Sequence, residues 1–141
     1  MRYIKSEPTI IGKFKANIKI YKVTDLYTWQ VSIKYNQSEL KVLEIIPGDF
    51  LGDDQVFTNS TDSFPNVLMV MGSLKGPTSG KSGDGTLAVI IFGYYTVNYT
   101  KPVIINEGFC KTILLNSNEC DISFELFNSN GDHAHLALIL K

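Results

Sequence analysis

The sequence lacks an excess of either charge, a long apolar run and a helical repeat of apolar residues. In its 141 residues, 13 lysines and arginines stand against 14 aspartates and glutamates, for a net charge of −1. Without a basic excess the chain has little to neutralise a phosphate backbone, so nucleic acid is not an expected partner. No apolar run reaches the roughly 20 residues of a membrane-spanning helix, so this segment is not expected to be inserted in a membrane.

Cysteine and histidine are also scarce, with two of each. Cys110 and Cys120 could close one disulfide in an oxidising compartment, and two buried free thiols would leave the same pattern. His133 and His135 are too few for a tetrahedral metal site, and we expect them at polar positions on the wet face of a terminal strand. No metal or other cofactor is predicted, and no nucleophile–base signature marks the chain as an enzyme.

What the sequence does contain is a hydrophobic period of two residues, the period of strands with one buried face. Together with the turn signals it predicts strands over residues 14–21, 28–35, 40–46, 67–71, 86–95, 103–105, 112–115, 122–127 and 134–140. Residues 74–85 have the composition of a loop. With 44% hydrophobic and 19% charged residues, we expect one folded domain over residues 1–141, an antiparallel β-sandwich of all-β class.

Two features bear on the compartment. Residues 1–8 contain no apolar core of a signal peptide, so the protein is either cytoplasmic or a module of a larger exported precursor. Glycosylation triplets begin at Asn36, Asn59 and Asn98, each in or beside a predicted turn, and they favour an exported protein.

Three segments carry a family resemblance. Residues 23–42 combine Val-Thr-Asp-Leu-Tyr-Thr-Trp-Gln, an aromatic-containing strand, with Tyr-Asn-Gln-Ser-Glu-Leu and an apolar strand. Residues 80–92 are Gly-Lys-Ser-Gly-Asp-Gly-Thr-Leu-Ala-Val-Ile-Ile-Phe, and residues 114–118 are Leu-Leu-Asn-Ser-Asn. These segments resemble cohesin modules, and the first is most similar to archaeal cell-surface versions. The resemblance runs from about Thr9 past Ile122, nearly the whole chain.

The resemblance implies a nine-stranded jelly-roll sandwich that binds another protein and does not catalyse a reaction. Cohesins hold dockerins, small calcium-loaded helical modules, on one flat sheet face. That face would include the outward positions of the Trp-containing strand, here Thr28 and Gln30 with support from Ser32. Neighbouring strands around Val67–Ser73 and residues 86–95 would complete it. Cellulosomal cohesins often have Asn and Asp where this chain has Thr28 and Gln30, so the partner is expected to be dockerin-like or another protein.

Two alternatives remain at this stage. One is a carbohydrate-binding module of similar jelly-roll fold, with polysaccharide as its ligand. The tyrosines that could stack on sugar rings in that case are Tyr27, Tyr94, Tyr95 and Tyr99. The other is a structural spacer of a surface-layer or stalk protein. The leading hypothesis is an extracellular or cell-surface adhesion and scaffolding module, and the sequence leaves a cytoplasmic location open.

Strand alternation makes a sharp prediction about the proposed face. Trp29, Val31 and Ile33 should be buried in the core, and the intervening residues Thr28, Gln30 and Ser32 should be exposed to solvent, since a shift of one residue would exchange the two sets. The outer side should be only modestly charged, with one long or aromatic side chain near its centre.

Overall fold

The structure, a computed structural model, describes residues 9–96, 103–105, 112–126 and 134–141. The strands in these residues are β1 Gly12–Tyr35, β2 Leu40–Pro47, β3 Val56–Phe64, β4 Val67–Ser73, β5 Lys81–Tyr94, β6 Val103–Ile105, β7 Ile113–Asn116, β8 Phe124–Leu126 and β9 Ala134–Leu140. None of the described residues is helical, and none forms a helix long and apolar enough to cross a membrane. The predicted all-β class is therefore confirmed.

The strand β1 is 24 residues long and changes direction near its middle. Between Ile20 and Trp29 the buried residues are spaced by three, whereas on either side they are spaced by two. Lys22 and Asp25 have the left-handed φ values 56° and 59°, and the pairing of β1 with β5 shifts register in this region. Irregularities of this kind bend a strand and increase its twist, so β1 passes from one layer to the other.

The two halves of β1 organise the two layers of the sandwich. Residues 12–21 lie between β5 and β9, with β2 beyond β5 and β8 beyond β9, and this set is called the first layer. Residues 26–35 lie between β4 on one side and β6 and β7 on the other, with β3 beyond β4, and this set is the second layer. All of these pairs are antiparallel except β8 with β9, which is parallel.

Aromatic contacts show that the layers face each other across one core. The ring of Phe92 in β5 stacks on Phe14 in the first half of β1, with centroids 5.3 Å apart. The same ring packs at 5.4 Å against Tyr35, which belongs to the second half of β1. A single buried cluster therefore joins both layers, as expected for a jelly-roll sandwich.

Trp29 is the largest fully buried side chain. It pairs with Gly72 of β4, and a Cβ atom on Gly72 would come within 2.5 Å of Trp29 Nε1. Phe57 of β3 packs against the indole with ring centroids 6.2 Å apart. Glycine at position 72 is thus required by the close approach of the Trp29 ring, and Trp29 is a core residue, not a surface for sugars.

The strands differ from the sequence-based prediction in three main respects. The strands predicted over residues 14–21 and 28–35 are one strand, β1. β3 was not predicted, because its residues Val-Phe-Thr-Asn-Ser-Thr-Asp-Ser-Phe are polar at most positions, as suits an edge strand. β5 begins at Lys81, inside the stretch that composition assigned to a loop. Gly83 has φ 116° and pairs with Val23, so this glycine serves the bent part of β5 beside the bend of β1.

Candidate protein-binding face

The outward side of the second layer forms a face whose central rows have no ionisable side chain. Residues paired in register point to the same side of a sheet, so the outward residues of β7, β1, β4 and β3 align in rows. This uncharged face consists of Thr28, Gln30, Val56, Thr58, Ser60, Met69, Met71, Ser73, Ile113 and Leu115. Two ionisable side chains lie at its margins, Lys34 of β1, which pairs with Val67, and Asp121, which pairs with Leu115.

Gln30 and Met71 pair with each other at the centre of the uncharged face. Met71 is 37% exposed, although its chain neighbours Val70 and Gly72 are buried. Val56, on the edge strand, is 47% exposed. A flexible thioether beside a glutamine amide supplies both apolar contact area and hydrogen-bonding capacity, so Met71 fits the long central side chain expected from the sequence.

Thr28 points outward as predicted, and its hydroxyl is already oriented within the face. Thr28 Oγ1 lies 2.8 Å from Ser73 Oγ, and Ser73 Oγ donates its proton to the carbonyl oxygen of Leu74 at 2.9 Å. Because the proton of Ser73 is used, Thr28 is the donor of the first bond. The two hydroxyl oxygens therefore offer acceptor positions to a partner.

The exposure predicted for this strand is only partly correct. Trp29, Val31 and Ile33 have no exposed surface, as predicted. Thr28 and Gln30 are half-buried, because β1 has a paired strand on each side at these positions.

The prediction for Ser32 is wrong, because this residue has no exposed surface. Ser32 pairs with Met69 on one side, and on the other its backbone N–H donates to Thr112 Oγ1 at 3.1 Å. Residues 33–35 of β1 pair with β6 and residues 26–30 pair with β7, so Ser32 lies between the two paired stretches. The buried residue Thr112 covers β1 at this position. Ser32 is therefore removed from the candidate site.

Residues 86–95 do not belong to the face either, contrary to the sequence-based prediction. Residues 86–94 lie in β5, which pairs with residues 12–26 of β1 and with β2 in the first layer. The strand that flanks the second half of β1 opposite β4 is β7, at Gln30 and Thr28. The predicted position of Val67–Ser73 beside the Trp-containing strand is confirmed, because β4 pairs with Thr28 through Lys34.

The glycosylation triplets fall in different settings. Asn36 is exposed in the turn between β1 and β2, where its Oδ1 accepts hydrogen bonds from Ser38 N at 2.9 Å and Ser38 Oγ at 2.6 Å. Asn59 is exposed within β3, so the turn predicted for it is wrong. Asn98 lies outside the described residues. Modification of the three asparagines stays a prediction.

Of the two cysteines and two histidines, the structure describes Cys120 and His135. Cys120 is exposed between β7 and β8, and Cys110 lies outside the described residues, so the disulfide stays a prediction. His135 is 8% exposed and its ring stacks on Tyr21, with centroids 4.9 Å apart. The wet-face position predicted for His135 is therefore wrong, and His133 lies outside the described residues. Among the described residues, no group of three His, Cys, Asp or Glu side chains could hold a metal ion.

A carboxylate that the sequence did not single out ties three segments together. Asp25, in the bend of β1, accepts hydrogen bonds from Gly80 N at 2.6 Å and from Ser117 Oγ at 2.7 Å, and its own N–H donates to Ser82 Oγ at 2.9 Å. The Ser117 hydroxyl, followed by the Gly80 N–H, holds the pKa of Asp25 below its ordinary value. Asp25 thus fixes the end of the sandwich where β1 changes layers.

The tyrosines do not form a common stacking platform in the part of the chain that the structure describes. Tyr27 is half-buried, and its hydroxyl donates to the carbonyl oxygen of Gly76 at 2.5 Å. Tyr94 pairs with Gly12 at one end of β5, and Leu26, the residue before Tyr27, pairs with Lys81 at the other end. Tyr27 and Tyr94 therefore lie at opposite ends of β5. Tyr99 is outside the described residues.

The fold of this jelly-roll sandwich is that of cohesin modules of known structure. The second type II cohesin module of the adaptor scaffoldin ScaA of Acetivibrio cellulolyticus is 21% identical and has a TM-score of 0.68, over 86% of this chain and 80% of that one. A non-cellulosomal cohesin of the archaeon Archaeoglobus fulgidus is 14% identical with a TM-score of 0.63, over 93% of this chain and 80% of that one.

A third similar structure contains a partner. It is a type I cohesin–dockerin complex from Clostridium thermocellum, with 12% identity, a TM-score of 0.66, and coverage of 89% of this chain and 87% of that one. The sequence matches no protein-family model and no curated protein. The likeness to solved structures confirms the fold expected from the cohesin resemblance.

Proposed function

We propose that this chain is a noncatalytic cohesin-type module that binds a dockerin-like helical module through the uncharged face. The cohesin fold supports the class, and several of the similar structures are complexes of a cohesin with a dockerin. We place the module outside the cell or on its surface, as part of a larger exported precursor. The exposed triplet asparagines Asn36 and Asn59 support that location.

The observation that carries the proposal is the composition of the face. Protein interfaces are depleted of charged residues at their core and enriched in Met, and the rows centred on Gln30 and Met71 have this character. The half-buried Thr28 and Gln30 present side chains held in place by their neighbours, so little side-chain entropy would be lost on binding.

The same composition defines the kind of partner. With no ionisable side chain on the face, an acidic or basic contact surface would be desolvated without compensation. A helical partner with apolar and neutral polar side chains fits better, with Met71 as the central contact. Such binding should depend only weakly on salt concentration.

The test is calorimetric titration of this protein with dockerins encoded in the same genome, with and without calcium. Gln30→Arg should weaken binding at least about tenfold, because it places an unmatched charge at the centre of the contact. Ser79→Arg adds the same charge on an exposed loop and should leave the affinity unchanged. Undiminished affinity of Gln30→Arg for a dockerin would exclude this face, and no heat with any dockerin would exclude the partner class.

A further inference from the structure

The outward side of the first layer has the opposite character to the uncharged face, because lysines are concentrated on it. The lysines of this basic face are Lys13, Lys15, Lys19, Lys41 and Lys141. Glu44, opposite Ile91, and Glu125 of β8, which pairs with His135, are the carboxylates among the outward residues paired in these strands. Five lysines against two glutamates is a local excess of positive charge in a chain of net charge −1.

The pairing of the strands brings these lysines close together. Lys13 and Lys41 are both paired with Gly93, one on each side of β5, and the aliphatic side chains of Ile10 and Leu43 pack over this glycine. Lys15 and Lys141 exchange two backbone hydrogen bonds of 3.0 and 2.9 Å and are therefore directly opposite each other. Like charges in such positions destabilise a sheet, so the cluster is kept at a cost in stability.

Aliphatic side chains are exposed between the lysines. Leu43 is 37% exposed and Ile46 is 36% exposed, and Ile46 pairs with the half-buried Val89 on the same outward side. A face that served only solubility would mix charges of both signs and expose few aliphatic residues. Ammonium groups interspersed with aliphatic side chains match the interface of an anionic lipid bilayer, where the lysine stems contact apolar groups and their charges reach the phosphates.

We propose that the basic face binds the surface of a membrane that contains anionic lipids. A polysaccharide would be held by aromatic stacking, and the aromatic pair on this outward side, Tyr21 and His135, is stacked on itself with centroids 4.9 Å apart, at the far end of residues 12–21 from Lys13. The basic face and the uncharged face lie on opposite layers of the sandwich. A module bound to a membrane in this way keeps the uncharged face directed away from the lipid and open to a protein partner.

The test is co-sedimentation with vesicles of phosphatidylcholine alone and with vesicles of equal parts phosphatidylcholine and phosphatidylglycerol. Binding to the anionic vesicles only is expected, and it should fall as salt rises through about 0.15 M. The double variant Lys13→Glu, Lys41→Glu should bind at least about 25-fold more weakly, at about fivefold for each lysine. The matched control Lys75→Glu, Lys81→Glu changes the net charge by the same amount and should bind like the wild type. Lys75 is exposed in the loop before β5, and Lys81 is the exposed first residue of β5.

A second comparison separates a lipid surface from a soluble acidic polymer. Ile46→Gln should weaken binding to the anionic vesicles, because an exposed aliphatic group no longer enters the interface. Absence of vesicle binding would overturn the proposal. So would an Ile46→Gln protein that binds vesicles unchanged, or a charge control as weak as the double variant. The outcome is independent of dockerin binding, which uses the other face.

Discussion

The two outer faces of this sandwich are built from the same strand and differ in almost every chemical respect. Residues 12–21 of β1 contribute Lys13 and Lys15 to a face where ammonium groups are crowded together. Residues 26–35 contribute Thr28 and Gln30 to a face without ionisable side chains. Since both halves of β1 bury apolar side chains in one core, their inner sides do not explain the contrast.

The contrast shows which constraints act on the outer positions. A core requires apolar residues on one side of each strand, and the other side is then free to follow solubility or function. Met71 is 37% exposed in the middle of one face, and lysines lie opposite each other on the other, although neither arrangement favours stability or solubility. The two partners that we propose, a protein for one face and an anionic surface for the other, would account for both arrangements.

The largest effect that we predict compares the two sides of β4. Gly72→Ala places a Cβ atom 2.5 Å from Trp29 Nε1 and 2.9 Å from Gln55 Oε1, so the indole must shift within a packed core. We expect a loss of about 1 to 3 kcal/mol in the free energy of unfolding, measured by urea denaturation. Met71→Ala, the adjacent residue on the outer side, should change it by no more than about 0.5 kcal/mol. Equal losses for the two variants would contradict the assignment of inner and outer sides.

Most of the strands could be predicted from the sequence, because alternation over residues 14–21 and 28–35 is a local property of the chain. The bend between them could not be predicted. It depends on left-handed conformations at Lys22 and Asp25, neither of which is a glycine, and on hydrogen bonds from segments that are distant in sequence. Thr112 buries Ser32 from 80 positions along the chain, so no local pattern at Ser32 indicates it.

The two outer faces show the same limit of prediction from the sequence. Alternation alone puts Lys15 and Lys19 on the same, outer side of the strand predicted over residues 14–21. The approach of Lys41 and Lys141 to that side follows from pairing with β5 and β9, which the period of two does not specify. For the uncharged face, the resemblance to cohesins placed Thr28, Gln30 and β4 side by side, as the structure does, but put residues 86–95 in the wrong layer. Layer assignment is a property of topology, and it required the structure.

A smaller effect is expected at the bend that separates the two halves of β1. The pKa of Asp25 is lowered in the folded protein, so its carboxylate stabilises the fold above the ordinary value of 3.8 and loses this contribution as pH falls through the folded value. Asp25→Asn tolerates the same left-handed φ and lacks the charge. Urea denaturation should show that the wild type has a larger free energy of unfolding than Asp25→Asn near neutral pH. This difference in the free energy of unfolding should shrink below pH 3.8. A difference that is constant with pH would mean that the charge of Asp25 does not contribute.

The smallest predicted effect concerns the stability of the basic face itself. Lys13→Gln removes repulsion from Lys15, two residues along the same side of β1, and from Lys41 across Gly93. We expect the free energy of unfolding to rise by a few tenths of a kcal/mol at low salt, about the size of other cross-strand charge effects. The gain should vanish near 1 M salt, where the screening length falls to about 3 Å. Lys75→Gln is the control, since Lys75 shares its surroundings with Asp53 and Asp54 and should give no gain.

If Lys13→Gln is less stable than the wild type at low salt, Lys13 is a structural residue of β1. If it gains stability while losing affinity for anionic vesicles, the lysines of this face are retained for binding at the expense of stability.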